Sequence, residues 1–79
     1  MHVLIVPKKH IQSVAHFQAE DKELAAHIFV DVVPKLAADF GVDEAGFRLT
    51  INTGKDGGQT VPHLHVHFLA KRKMTWPPG

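Results

Sequence analysis

The chain has 79 residues, 44% of them hydrophobic and 22% charged, with a formal net charge of +1 and no cysteine. That length makes one domain, burying about 60 to 65% of the surface that the unfolded chain exposes, and so small a net charge supplies no broad basic field for nucleic acid. The missing cysteines exclude disulfides, thiolate zinc sites and cysteine catalysis and suit a cytoplasmic protein, while the absence of a signal-peptide pattern or an apolar run of about 18 residues speaks against a membrane.

Val3 to Val6 reads as a nearly continuous apolar strand closed by Pro7, and Lys8 to Phe17 as a loop or short helix. From Asp21 to about Phe40 the residues Leu24, Ala25, Ile28, Phe29, Val32, Val33, Leu36, Ala37 and Phe40 recur at spacings of three and four. The spacing predicts an amphipathic helix, with Asp21 as its N-cap and Gly41 as its C-terminal stop. Pro34 inside it leaves the Val30 carbonyl without its usual donor, which predicts a kink. The apolar stripe is wide enough to cover a sheet face and leave Ile28 and Val32 seeking a partner, so a homodimer is expected. Phe47, Leu49 and Ile51 alternate with Arg48, Thr50 and Asn52 as in a half-buried strand. The loop Gly54-Lys55-Asp56-Gly57-Gly58 then reverses the chain, and a strand from about Leu64 to Ala70 returns antiparallel as a hairpin. The prolines of the tail Met74-Thr75-Trp76-Pro77-Pro78-Gly79 end regular structure. The pattern is that of an α+β fold, an antiparallel sheet with one main amphipathic helix.

The returning strand holds the chemistry. In Pro62-His63-Leu64-His65-Val66-His67-Phe68-Leu69, alternation puts His63, His65 and His67 on one face and Leu64, Val66 and Phe68 on the other. Strand rise separates the backbones of His63 and His67 by about 13 Å. A single zinc, with Zn–N bonds of about 2.0 to 2.1 Å, takes two neighbouring rings from such a row but hardly three. An elongated anion laid along the row meets all of them, so the spacing favours phosphate chemistry. Neutral imidazole is a nucleophile near pH 7 and later a good leaving group from phosphorus. The middle ring can therefore attack while its neighbours hold oxygens and move protons.

Gly57-Gly58-Gln59-Thr60 lies just ahead of this strand, where glycines let backbone N–H groups approach an anion and the glutamine amide and threonine hydroxyl add donors. His10, after a basic pair at a strand end, is a candidate fourth imidazole. His2, His16 and His27 read as ordinary surface residues.

The run His63-Leu64-His65-Val66-His67-Phe68-Leu69 resembles the histidine triad (HIT) family pattern, H-φ-H-φ-H-φ-φ with φ apolar, at every position. Three further segments resemble its histidine triad nucleotide-binding (Hint) branch: Pro7-Lys8-Lys9-His10-Ile11, Asn52 to Gln59, and Met74 to Gly79. The resemblance implies a purine nucleoside phosphoramidate hydrolase, acting on these or related nucleotidyl conjugates through a nucleotidylated histidine, without metal or other cofactor, as a homodimer. Carried over position by position, it makes His65 the nucleophile and His67 the group that binds phosphate and passes a proton to the leaving amine. His63 would orient His65, and His10 would be the fourth histidine of the proton relay. Asn52, Gly58, Gln59 and Thr60 would contact the phosphate and leaving group, and Trp76 would wall the pocket, often from across the dimer. The resemblance further implies that residues 1–79 are the C-terminal two-thirds of the usual domain, lacking the N-terminal part that helps to hold base and ribose. The alternative expectation is a nucleotide-binding or interaction module that keeps the fold without turnover.

Overall fold

The computed structural model describes residues 1–79. Three strands, β1 (His2–Ile5), β2 (Phe47–Thr50) and β3 (Val66–Ala70), form an antiparallel sheet in the order β1-β3-β2. β3 is central, so the predicted hairpin with β2 forms and β1 pairs along its other side. The register sets Leu4 opposite His67 on one side and Thr50 opposite His67 on the other. β3 begins at Val66, later than expected, so His65 lies just ahead of it and His63 in the bend that precedes it, where its N–H bonds the Val61 carbonyl at 2.9 Å.

Between β1 and β2 runs one helix whose winding changes along its length. A 3-10 turn (Ala19–Asp21) leads into α1 (Lys22–Ala26), then a π-helical stretch (His27–Val32), then α2 (Val33–Asp39). The widened turn is where the kink was expected. The Val33 N–H reaches back five residues to the Ile28 carbonyl immediately ahead of Pro34, which has no N–H to offer and whose ring would collide with the carbonyl four residues back in an α-helix. At the C-terminus Gly41 takes φ of 68°. Its N–H bonds the Ala38 carbonyl while that of Val42 bonds the Ala37 carbonyl, the paired closure that a left-handed glycine permits. Asp21 does not cap the helix with its side chain. Its carboxylate turns back to accept from the Gln18 N–H at 2.8 Å and from Lys9 Nζ at 2.5 Å.

The helix packs on one face of the sheet. Ile28, Val33 and Ala37 meet Ile5, Val66, Phe68 and Ala70 in one core, with Phe68 wholly buried and stacked on Phe47 at 4.6 Å between ring centres. Ile28 is therefore not a surface residue: it is 3% exposed, and the outward apolar residues of the helix are Phe29 and Val30 instead. Both lie within the widened turn. No helix is long and apolar enough to cross a membrane.

Candidate active site

The face of the sheet opposite the helix carries the histidines. Leu64, Val66 and Phe68 are buried while His63, His65 and His67 are half-buried, the alternation that a pleated strand imposes when one side faces a core. On the same face stand His2 and Leu4 of β1 and Thr50 of β2, placed there by the register. Continued one step past Ile5↔Val66, the β1 pairing brings Val6 beside His65; continued two steps past Thr50↔His67, the β2 pairing brings Asn52 across from it.

Main-chain carbonyls set the tautomers of two rings, because a carbonyl oxygen can only accept. His65 donates from Nδ1 to the carbonyl of His63 at 2.7 Å, and His63 donates from Nε2 to the carbonyl of Pro7 at 3.1 Å. The Nε2 of neutral His65 is consequently the atom with the free lone pair. His63 orients its neighbour through its backbone oxygen, while its ring is held elsewhere. His67 Nδ1 is 2.7 Å from Nε2 of His2, and its own Nε2 is buried without a partner. Burial, and then the nearby rings of His65 and His2, hold the His67 pKa below the ordinary imidazole value. His67 is therefore neutral near pH 7 and carries one mobile proton.

The fourth imidazole in direct contact with His67 is His2. His10, the expected fourth histidine of the relay, lies at the other end of the row with its ring centre 5.0 Å from that of His63. Nothing in the run His2-Val3-Leu4-Ile5 marks the histidine as special. Its position became significant only when β1 paired alongside β3.

The glycine loop supplies less to an anion than its composition suggests. The Gly58 N–H is spent on the Lys55 carbonyl and the Gln59 N–H on the Gly54 carbonyl, both at 3.0 Å. The side chain of Gln59 accepts from Gly54 N–H at 2.9 Å and donates to the carbonyls of Gln12 at 2.6 Å and Val61 at 3.0 Å. Gln59 thus braces two loops against each other. Thr60 is exposed beside them, and Asn52 is half-buried where β2 ends. Trp76 is 81% exposed, and the tail leaves from the far end of β3, where Arg48 donates to the Thr75 carbonyl at 3.0 Å. Within one chain, the structure does not bring Trp76 to the histidines. An open hollow of about 160 Å³, lined by Leu4, Val6, Val61, His63 and His65, lies against the middle of the row.

A row of imidazoles on the open face of a small antiparallel sheet, with an apolar reverse side under one helix, defines a histidine-triad protein. Residues 1–74 match the HIT domain, and the chain belongs to that family. An uncharacterized HIT-like protein of Synechococcus elongatus is 44% identical over all 79 residues, which span 68% of that protein. Among solved structures, a HIT family hydrolase of Legionella pneumophila superposes with a TM-score of 0.93 at 47% identity, over 99% of this chain and 69% of that one. A histidine triad protein of Clostridium difficile gives 0.87 at 44% identity, over 94% and 64% respectively.

Proposed function

We propose that this chain is a nucleotide-binding hydrolase of the Hint kind, cleaving purine nucleoside phosphoramidates or related nucleotidyl conjugates. The observation that carries the reading is the hydrogen bond from His65 Nδ1 to the His63 carbonyl, which leaves Nε2 as a nucleophile that needs no base to strip it. Nε2 attacks the α-phosphorus, the phosphorus–nitrogen bond breaks, and the amine leaves with a proton from His67. Water then attacks the phosphorus of nucleotidylated His65 and gives its proton to Nε2 of His67, so that the phosphorus–nitrogen bond to His65 breaks, a nucleoside monophosphate is released and both rings return to their starting states. Nε2 of His67 is buried without a hydrogen-bond partner in the protein, and a phosphate oxygen or the leaving nitrogen would satisfy it. While Nε2 is without its proton, the Nε2–H of His2, 2.7 Å from Nδ1, hydrogen-bonds the ring. Asn52, at the end of β2, and the hydroxyl of Thr60 are the side chains available to phosphate oxygens; Leu4, Val6 and Val61 offer an apolar wall to the nucleoside. A second copy completes the site with its tail Trp76, so the working form is a homodimer.

The second reading is a nucleotide-binding module without turnover. It is favoured by the commitment of Gln59 and of the Gly58 N–H within the protein, which leaves fewer donors for a phosphoryl transition state. Incubation with adenosine phosphoramidate separates the two. The hydrolase releases AMP in the presence of chelator, His65→Ala lowers the rate by about 10⁴-fold or more while AMP still binds, and mass spectrometry of quenched protein finds the nucleotide on His65. An adduct on His63 or His67, or loss of turnover with chelator, overturns the mechanism; binding without release of AMP by the unsubstituted chain selects the module.

A further inference from the structure

The orientation of His65 depends on one peptide plane. The carbonyl of His63 and the N–H of Leu64 belong to the same planar unit. The first accepts from His65 Nδ1 at 2.7 Å, and the second donates to the carbonyl of Ile11 at 2.6 Å. Any movement of Ile11 that rotates this plane also turns the acceptor that holds the nucleophile. Two further carbonyls of the same loop hold the site: Pro7 takes the ring of His63, and Gln12 takes the amide of Gln59. The stretch from Pro7 to Gln12 is in effect a rack of acceptors along the histidine segment.

Pro7 and Ile11 of the rack are buried, whereas Lys8, Lys9, His10 and Gln12 are exposed. Its residues belong to no strand or helix, and its one ionic attachment to the rest of the fold is Lys9. The ammonium of Lys9 bonds one oxygen of Asp21, whose other oxygen takes the N–H of Gln18. Asp21 is 3% exposed, so its carboxylate is fixed at the head of the helix, whereas Glu20 stands further off at 3.6 Å from the ammonium and open to solvent.

We infer that Lys9 and Asp21 are positioning residues for the reaction, clamping the Ile11 carbonyl so that the His63–Leu64 peptide holds His65 with Nδ1 protonated and Nε2 free. The inference rests on the hydrolase reading for its consequence in catalysis, but not for its structural content. Neither side chain touches substrate in this scheme; both act through the loop. Release of the clamp lets the plane rotate, and His65 then drifts toward the Nε2–H tautomer that free imidazole prefers, in which the attacking lone pair is gone.

The test uses Lys9→Met, Asp21→Asn, the double variant and Lys9→Arg, each in the full chain. Nitrogen-15 spectra of the imidazoles read the His65 tautomer directly. The unsubstituted chain and Lys9→Arg are expected to show Nδ1–H, and Lys9→Met and Asp21→Asn a mixture with Nε2–H. In the phosphoramidate assay the two uncharged variants lose on the order of tenfold in kcat with KM changed less than about twofold, and the double variant is no worse than either. Lys9 is half-exposed, so Lys9→Met preserves the core and keeps the test open if Asp21→Asn does not fold. A folded Lys9→Met protein with His65 still fully Nδ1–H and kcat unchanged overturns the inference. Altered tautomers in a chain whose unsubstituted form never turns over sustain the inference and overturn the hydrolase reading instead.

Discussion

The two faces of the sheet are held by different forces. On the helix side Val66, Phe68 and Ala70 are sealed against Ile28, Val33 and Ala37, and the stabilisation there is burial of apolar area, which tolerates small shifts in direction. On the histidine side Leu4, Val6 and Val61 are about half exposed, and the rings are set by single hydrogen bonds to main-chain carbonyls. Hydrogen bonds of this kind add only about 0.5 to 1.5 kcal/mol each to stability but dictate tautomer and angle. One face keeps the protein folded, and the other spends little of that stability on geometry.

The comparison breaks if stability does not follow the helix side. Phe68→Ala removes a wholly buried ring and its stacking on Phe47, and is expected to cost about 3 to 5 kcal/mol, most of the margin of a domain this small. His65→Ala, which the proposed mechanism requires to abolish turnover, is expected to cost no more than about 1.5 kcal/mol. Urea denaturation of both variants reads the difference, and equal losses would show that the histidine side is part of the core.

Gly57→Ala sharpens the comparison at the loop. A Cβ there would lie 2.8 Å from the amide nitrogen of Thr53 and closer still to its carbonyl oxygen, and backbone cannot yield as a side-chain tip does. A loss of about 1 to 3 kcal/mol is expected, together with weaker protection of the Gly54 N–H from hydrogen exchange, since that group is held by Gln59. Unchanged stability and exchange would mean that the loop moves freely of the Gln59 brace.

Acid gives a smaller effect on each side. The pKa of His67 is lower folded than unfolded, so the unfolded chain binds the extra proton first. The contribution of neutral His67 is complete above about pH 6.5 and fades as pH falls through and below that value. His67→Gln should flatten this part of the stability profile, and an unaltered slope would place the titration elsewhere. Asp21 behaves alike at lower pH: the Lys9 ammonium and then the Gln18 N–H hold its carboxyl below the usual carboxylate range. Its share of stability is present above about pH 4 and is lost on further acidification. Asp21→Asn should remove that acid limb, and an acid limb that survives the substitution would assign it to other carboxylates.

Several elements were legible in the sequence because each reports a period or a local backbone demand. Alternation along His63 to Phe68 gave the two faces, the three-and-four spacing from Leu24 to Ala37 gave the helix, and Gly41 marked its end. Pro34 announced a disturbance, though not that a π turn would absorb it, nor that Phe29 and Val30 would face outward while Ile28 stays in the core. The contacts that govern the site follow no period. His2 with His67, Gln59 with Gln12, and Pro7 with His63 join residues 65, 47 and 56 positions apart, and such pairs form only after the strand order is settled. By itself the sequence determined which side chains the active face would present, since the pleat makes that choice residue by residue. The tertiary structure alone decided that His2 would meet His67 and His10 would stand by His63, and which nitrogen of His65 would be free, because these depend on which backbone oxygen or neighbouring ring the folded chain brings within hydrogen-bond reach.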